Sequence, residues 1–329
     1  MFGICSRNLA AGLLAAAVLS PVMASAQSKI DVLAGTTSST SSFFAYYATT
    51  AKLLTEAKSP VRLTVSETGG IEENLVRMSK GEFNVGLMAM RLLNEAYNGV
   101  GKNWEGKPQK NQRLLYVFMI APQAFMVRKD AGINNVQDLN GKKWSPGHRG
   151  SGSEKATMQI MEVLGVKPDY YRGAMPDIVR AIKNGEISGF SKGLPGYVLD
   201  ATFLDIQTNH PIQIIGFTDA EAATLKKDFP SLPHLKLPAK LANMPVDQNS
   251  WAFVVCASAL ADLSDDAAYW MTKIAIEKRE DIAKAFKAAA GTDPLVATME
   301  LGTVPLHPGA IRYFRERGIK IPERLIPKG

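Results

Sequence analysis

Glycine and serine are concentrated in one short segment of the sequence, residues 147–153, which is GHRGSGS. Glycines allow backbone N–H groups to converge on an anion without obstruction by Cβ atoms, and the start of a helix behind them adds a partial positive charge. The segment therefore predicts a site for a carboxylate or a similar anion, formed by Arg149, Gly150, Ser151, Gly152 and Ser153. The alternative is an ordinary turn between a strand and a helix, with a serine as the helix cap.

Two other segments have the same composition and the same expected position after a strand. They are GTTSSTSSFF at residues 35–44 and SETGGIEEN at residues 66–74, and each combines hydroxyl side chains with glycine ahead of a helical pattern. Ligands of open α/β sheets bind at the carboxyl ends of strands, so three such loops at one edge predict a binding cleft. A further candidate is Lys192 in the glycine-flanked segment GFSKGLP, with a solvated surface lysine as its alternative.

The sequence offers no set of residues for catalysis or for binding a metal. The histidines are scattered, and none belongs to a pair with metal-ligand spacing: His148, His210, His234 and His307. Glu72 and Glu73 are adjacent, and adjacent residues of a helix point in different directions. The glycine segment also lacks the patterns of a phosphate-binding loop and of a nucleophile elbow. We therefore expect no enzymatic activity, no metal and no cofactor.

Strands that alternate with helices must position these loops. Apolar alternation and helical spacing predict three strand–helix units in residues 30–98 and a second α/β block after residue 129. Between them, the apolar segment 113–129 contains Pro122, which predicts two strands that meet at a crossover. Residues 265–289 predict one long amphipathic helix or a kinked pair. The whole pattern predicts two α/β lobes with a cleft between them.

The N-terminus has the pattern of a cleaved secretory signal peptide at residues 1–26. Arg7 precedes an apolar run at residues 9–19, and Ala24-Ser25-Ala26 predicts the cleavage site. The run is shorter than the ~18–20 apolar residues of a membrane-spanning helix. We therefore expect export to the periplasm.

Cleavage would leave one cysteine, Cys256, so an internal disulfide is excluded and the stability must come from an apolar core. With 46% hydrophobic and 21% charged residues, the chain can bury such a core. The net charge of +7 is concentrated near the C-terminus, where a solvated basic helix is the simplest interpretation. No nucleic-acid-binding motif is present. We expect a soluble monomer that binds no nucleic acid.

Four segments match a known family in their order and spacing. They are VLAGTTSSTSSFFAYYATTAKLL, VSETGGIEENLVRMSKGEFNVGLM, FMVRKDAGINNVQDLNGKKWSPGHRGSGSEKAT and VPLHPGAIRYFRERG. The sequence resembles the TAXI-type solute receptors of tripartite ATP-independent periplasmic (TRAP) transporters over nearly the whole chain after the signal peptide. It departs from them in three places: GSGS replaces the common GSGT, His148-Arg149 replaces residues that are often small or proline, and MAMRL (88–92) lacks the polar residue that is usual after the third strand.

The resemblance implies a type II periplasmic binding protein fold, an α/β fold of two lobes joined by a hinge with the ligand cleft between them. Lobe I is expected at residues 27–122 and is completed by residues 253–329, and lobe II is expected at residues 123–252. The expected ligand is a small organic anion, such as an amino acid or a 2-oxoacid, and the expected partner is the membrane permease of a TRAP transporter. A receptor of an ABC importer and a periplasmic sensor partner of a membrane kinase are the alternatives.

The ligand contacts that we expect combine the three loops, Lys192 and two further positions, Tyr46 and Met88. The complete set is Thr36, Thr37, Ser41, Ser42, Tyr46, Thr68, Gly69, Asn74, Met88, Arg149, Gly150, Ser151, Gly152, Ser153 and Lys192.

Overall fold

The structure is a computed structural model that describes residue 1 and residues 29–39, 41–101, 103–194 and 197–328. Apart from residue 1, the predicted signal peptide lies outside the described residues. Within the described ranges, no helix combines the length and the apolar composition that crossing a membrane requires.

Strands and helices alternate along the chain, as the sequence predicts. The strands are β1 (Ile30–Gly35), β2 (Val61–Ser66), β3 (Val85–Ala89), β4 (Gln112–Arg128), β5 (Lys143–Trp144), β6 (Asp169–Tyr170), β7 (Gly189–Gly193), β8 (Ile212–Ile215), β9 (His234–Leu237) and β10 (Gln248–Leu260). The helices are α1 (Ser42–Glu56), α2 (Ile71–Ser79), α3 (Met90–Asn98), α4 (Gly152–Val163), α5 (Met175–Lys183), α6 (Ala201–Gln207), α7 (Asp219–Asp228), α8 (Ala239–Ala242), α9 (Asp265–Glu277), α10 (Arg279–Ala285), α11 (Pro294–Leu301) and α12 (Pro308–Glu316). Short 3₁₀ turns lie at Lys129–Ala131, Val136–Leu139, Lys287–Ala289 and Glu323–Leu325.

The first three strands form a parallel sheet in the order β2-β1-β3. Their carboxyl ends lie at one edge, where the loops after β1 and β2 and the start of α3 follow directly. β10 then pairs antiparallel with β3 and extends the sheet to β4. The predicted strand–helix units of residues 30–98 are confirmed, and they bring two of the three hydroxyl-rich loops to the same edge.

The segment around Pro122 is one continuous strand, β4, and our prediction of two strands is wrong. Proline removes one ladder donor, and it is tolerated here because β4 changes partners at this point. β4 pairs with β10 up to Pro122 and continues from residue 123 between β7 and β8. The N–H of Ala252, opposite Pro122, donates to the Pro233 carbonyl (2.9 Å).

Residues 265–289 begin with the kinked pair of helices that was one of the two predicted forms. α9 ends at Glu277 and α10 begins at Arg279, because the backbone of Lys278 between them leaves the helical region (φ −108°, ψ 20°). The continuous helix is therefore the wrong alternative.

Four apolar clusters divide the chain into two lobes. The buried members of two clusters come from residues 32–120 and 252–325. The buried members of the other two come from residues 124–251. β4 and β10 contribute to clusters in both lobes, so these two strands connect the lobes. This arrangement confirms the predicted α/β architecture of two lobes.

Candidate functional site

A cavity of about 190 Å³ lies between the two lobes, and we call it the cleft cavity. Its lining comes from the starts of α2, α3 and α4, the loop before β9 and the first half of β10. The residues are Ile71, Glu72, Ala89, Arg91, Leu92, Gly152, Ala156, Leu232, Pro233, Trp251, Ala252, Phe253 and Val254. A larger groove of about 580 Å³ lies along α10, but its lining comes from lobe I alone. The cleft cavity is the better candidate for a site that both lobes share.

Three helix N-termini meet at the cleft cavity: those of α2, α3 and α4. The first N–H groups of a helix lack intrahelical partners and carry a partial positive charge. The N-cap residues of α2 and α3, Gly70 and Ala89, make no side-chain hydrogen bond that would satisfy these groups. The cavity therefore offers backbone donors and positive potential to an anion.

Arg91, in the first turn of α3, supplies a full positive charge to the cavity lining. Its Nη1 lies 2.7 Å from Oε1 of Glu95, one helical turn away. Glu95 also accepts a hydrogen bond from the Ser231 hydroxyl of lobe II (3.1 Å), and the Arg91 guanidinium lies over the Phe229 ring at 5.7 Å. Arg91 therefore belongs both to the cavity and to a set of contacts that join the lobes.

Glu72 is the carboxylate of the cavity lining, in the first turn of α2. Its side chain is exposed and makes no hydrogen bond or ion pair with another described residue. Its neighbour Glu73 behaves differently, because Glu73 accepts the Gly69 N–H (2.7 Å) and lies 3.4 Å from Arg77. The two adjacent carboxylates thus point to different surroundings, as their helical spacing predicts.

Hydrogen bonds with neighbouring residues already use several of the polar groups of the glycine loop before α4. The Ser151 hydroxyl accepts the N–H of Glu154 (3.0 Å), and the N–H of Gly150 donates to the Glu154 carboxylate (2.7 Å). Glu154 is buried and pairs with Arg172 (2.7 Å), whose guanidinium holds the pKa of that carboxyl below its ordinary value. The Arg149 side chain is exposed, and Gly152 alone among the loop residues lines the cavity.

Hydrogen bonds connect the loop after β1 to the loop after β2. The Asn74 amide donates to the carbonyls of Thr36 (2.8 Å) and Leu87 (3.1 Å), and its oxygen lies 2.7 Å from the Thr68 hydroxyl. These side chains are buried, and their polar groups are hydrogen-bonded within the protein. They therefore position the ends of β1, β2 and β3 and do not reach the cavity. None of these three side chains lines the cleft cavity, and their contact with a solute stays a prediction.

Tyr46 and Met88 are core residues that do not line the cleft cavity, and their contact with a solute stays a prediction. Tyr46 is 1% exposed and stacks on Phe118 with ring centroids 4.0 Å apart, and Met88 is fully buried. Tyr46 lies in α1 and Met88 in β3, and both side chains belong to the apolar clusters of lobe I.

Lys192 forms an ion pair with Asp200, the residue that caps α6. Burial lowers the pKa of Lys192.

Of the other expected contacts, Ser41 caps α1 by accepting the Phe43 N–H (3.2 Å), whereas Ser42 is exposed and Ser153 is half-buried. The Thr37 hydroxyl is buried and has no hydrogen-bond partner among the described residues. Contact of these residues with a solute stays a prediction.

Sequence reasoning missed most of the cleft cavity. Trp251 and Phe253 belong to an apolar strand whose pattern indicates only core, and Leu232 and Pro233 lie in a loop whose single polar residue is Ser231. Arg91 is the second residue after β3, within the segment MAMRL, and it was not among the expected ligand contacts. One signal in the sequence points to Arg91: it is a charged residue that follows the buried end of a strand, β3.

Comparisons with known proteins are consistent with this architecture. A model of the NMT1-like family matches residues 34–318. The solved structure of a TctC solute binding protein from Polaromonas is similar with a TM-score of 0.50 at 14% identity, over 79% of this chain and 88% of that chain. The likeness confirms the predicted periplasmic binding protein fold.

Two further solved structures are similar at lower TM-scores. The periplasmic aliphatic sulphonate binding protein SsuA from Escherichia coli has a TM-score of 0.42 at 11% identity, over 88% of this chain and 84% of that chain. A ligand-binding component of an ABC-type import system from Staphylococcus aureus has a TM-score of 0.41 at 11% identity, over 90% of this chain and 96% of that chain.

Proposed function

The chain belongs to the NMT1-like family, and we propose that it is a periplasmic solute-binding protein and not an enzyme. It captures a small organic anion in the cleft cavity and delivers it to the membrane permease of a TRAP-type secondary transporter, as a receptor of the TAXI type. The observation that carries the proposal is that the lining of the cleft cavity comes from both lobes. A solute there has more contacts when the lobes are close together, so its binding changes the shape of the receptor.

An anion is favoured by the groups at the cavity. A helix N-terminus stabilises a nearby negative charge by ~0.3–1 kcal/mol, and a hydrogen bond to a charged group contributes ~1.5–3 kcal/mol. Arg91 is therefore the strongest single attraction, and the N-termini of α2, α3 and α4 add to it. Glu72 opposes a second negative charge on the same solute.

The solute is small. An apolar protein cavity of ~150 Å³ holds a molecule of the size of benzene. The cleft cavity, at about 190 Å³, therefore accommodates about six to nine non-hydrogen atoms by the same measure.

Assignment to the TRAP class depends on the sequence resemblance, whose C-terminal segment VPLHPGAIRYFRERG forms α12 and the residues around it. His307 caps α12 by accepting the Gly309 N–H (3.2 Å). A Cβ at Gly309 would lie 2.0 Å from the Asp265 carbonyl oxygen, so only glycine lets α12 approach α9 this closely. These residues stabilise lobe I and do not line the cleft cavity.

The binding role is tested by filling the cavity from Gly152. A Cβ there meets no atom within 4 Å, so Gly152→Leu should fold normally and place its side chain in the path of the solute. We expect wild-type protein purified without denaturation to carry a small acid in native mass spectrometry, and Gly152→Leu to have lost it and to bind the identified acid at least a hundredfold more weakly by calorimetry. Gln159→Leu, on the exposed face of α4, is the matched control and should bind as the wild type does. Equal affinities of wild type and Gly152→Leu would place the site elsewhere.

The transporter class is tested with membranes of the source organism. Right-side-out vesicles should take up the solute only when receptor is added, with an ion gradient and without ATP. Dependence on ATP hydrolysis would indicate an ABC importer, and solute-dependent capture of a membrane kinase without uptake would indicate a sensor partner. Either result would contradict delivery to a TRAP permease while leaving the binding role intact.

A further inference from the structure

The lining of the cleft cavity carries information about the chemical class of the solute, and this inference rests on the proposed function. Apart from Glu72, Arg91 and Gly152, every lining residue is apolar. Leu232, Pro233 and Trp251 contribute the wall from lobe II, and Phe253 from β10 adds a second aromatic ring. A solute that fills this cavity must therefore have an apolar body, because burying a polar body without hydrogen-bond partners is unfavourable.

Arg91 determines where the anionic end of the solute lies. Its Nη1 is used by Glu95, while its other nitrogens make no hydrogen bond with a described residue. A guanidinium binds carboxylates through two parallel N–H groups, and the uncapped start of α3 lies in the same turn. The remaining N–H groups of Arg91 are therefore available to one carboxylate of the solute.

Glu72 determines what else the solute must carry. Its carboxylate lines the same cavity and has no partner among the described side chains or backbone groups, whereas Glu73 next to it has two. A solute that covers Glu72 removes water from it, and a desolvated carboxylate without a partner is strongly unfavourable. A positively charged group on the solute supplies that partner, and a second carboxylate would be repelled.

We propose that the solute is an α-amino acid with an uncharged, apolar side chain. Its carboxylate pairs with Arg91 and faces the start of α3, and its ammonium group pairs with Glu72. The side chain packs against Trp251, Phe253, Leu232 and Pro233. Glu72 is thus the residue that distinguishes this amino acid from a 2-oxoacid with the same carbon skeleton.

The test compares three probes by calorimetry on the wild-type protein freed of bound solute. Leucine carries both charges, 4-methyl-2-oxopentanoate has the same skeleton without the ammonium group, and glutamate has a second carboxylate. We expect leucine to bind at least tenfold more tightly than either of the others, since a hydrogen bond between charged groups is worth roughly tenfold to a hundredfold in affinity. Tighter binding of 4-methyl-2-oxopentanoate or of glutamate would overturn the proposal.

The variant Glu72→Gln separates recognition by Glu72 from a general loss of structure. It should weaken leucine binding tenfold or more and leave the affinity for 4-methyl-2-oxopentanoate unchanged or improved. Glu56→Gln removes an equivalent exposed carboxylate at the end of α1 and should change neither. Equal weakening of both probes by Glu72→Gln, or no effect on leucine, would overturn the role of Glu72.

Failure of this inference is distinguishable from failure of the proposed function. If a 2-oxoacid or a dicarboxylate binds and Gly152→Leu abolishes that binding, the receptor role stands and the amino-acid assignment is wrong. If no probe binds and no solute co-purifies with the protein, the proposed function fails as well.

Discussion

Glu154 holds the glycine loop at α4 in the way that a bound anion would hold it. Its carboxylate accepts the Gly150 N–H and pairs with Arg172, while its own N–H is bonded to the Ser151 hydroxyl. The spacing Ser-x-x-Glu at residues 151–154 is a capping-box pattern, although the carboxylate here reaches Gly150 instead of the N-cap residue. The loop is therefore preformed without ligand.

Replacing Glu154 with glutamine should destabilise the protein by about 1.5–3 kcal/mol at pH 7, the range for hydrogen bonds to charged groups. The Arg172 guanidinium holds the pKa of Glu154 below its ordinary value of 4.5. A carboxyl group with a lowered pKa in the folded state stabilises the fold above its ordinary pKa, and this contribution is lost as the pH falls through the lowered pKa. Urea unfolding at a series of pH values should show the difference between wild type and Glu154→Gln shrinking below about pH 4.5.

Glu162→Gln is the control for this substitution, because Glu162 lies on the same helix and is exposed. It should change the midpoint of unfolding little at any pH. A difference between wild type and Glu154→Gln that stays constant down to the acid limit would contradict the role of the Glu154 charge.

At the residue scale, the sequence predicted which loops end the strands but not which donors are free. Ser151 and Asn74 were expected to bind the ligand because their side chains can form hydrogen bonds. Their partners, Glu154 for Ser151 and two backbone carbonyls for Asn74, are known only once the chain is folded. Arg172, eighteen residues after Glu154, has no local pattern that would reveal the ion pair.

Helices and strands with a clear apolar periodicity can be predicted from the sequence. A strand whose limits depend on which other strands it pairs with cannot. The strand–helix units up to α3 have clear periodicity, and they formed as expected. The continuity of β4 through Pro122 could not be predicted, because it depends on the strand exchanging β10 for β7 and β8 at that residue.

α3 is the element that connects the cavity to the contacts between lobes. Arg91 lines the cavity, and Glu95 one turn later accepts the hydroxyl of Ser231, which belongs to lobe II. Ser231 is 7% exposed, so this hydrogen bond to a charged group is protected from water. The bond stabilises the arrangement in which the lobes lie close together.

Ser231→Ala should therefore weaken solute binding roughly tenfold, since ~1.4 kcal/mol corresponds to one decade and the bond is worth at least that. The loss should appear as faster dissociation in stopped-flow experiments, because the closed receptor opens more readily. Ser79→Ala removes a hydroxyl whose bond to Val76 stays within α2, and it should leave affinity and dissociation unchanged. Unchanged dissociation in Ser231→Ala would contradict the role of this contact.

At the scale of the whole molecule, the two-lobe fold was predictable and the cavity was not. Alternating elements on both sides of a long apolar segment indicate two α/β lobes. The cavity is assembled from short pieces between residues 71 and 92, between 152 and 156 and between 232 and 254, most of them apolar. In the sequence, each of these segments looks like part of an apolar core. They line a cavity only because of the way the two lobes are placed relative to each other.

Closure of the lobes on the solute is the last prediction. We propose that lobe I (residues 27–122 and 253–329) and lobe II (residues 123–252) rotate about the points where β4 and β10 change partners. A ligand shifts an equilibrium only through its different affinity for the two states, and a solute in the cleft cavity touches both lobes only when they are close. Solute should therefore convert a distribution of open and closed receptors into a single closed form.

Distances between spin labels measure this directly. Lys52 and Lys320 are exposed in lobe I, and Glu162 and Lys227 are exposed in lobe II, so the double cysteine variants Lys52→Cys/Glu162→Cys and Lys320→Cys/Lys227→Cys report on the lobes. Cys256 should stay unlabelled, because it is fully buried and burial raises the pKa of its thiol. Saturating solute should narrow and shift the distance distribution of at least one pair, and Gly152→Leu in the same background should abolish the change. Distributions that stay identical for both pairs while calorimetry shows full occupancy would mean that the solute binds to a receptor that does not close.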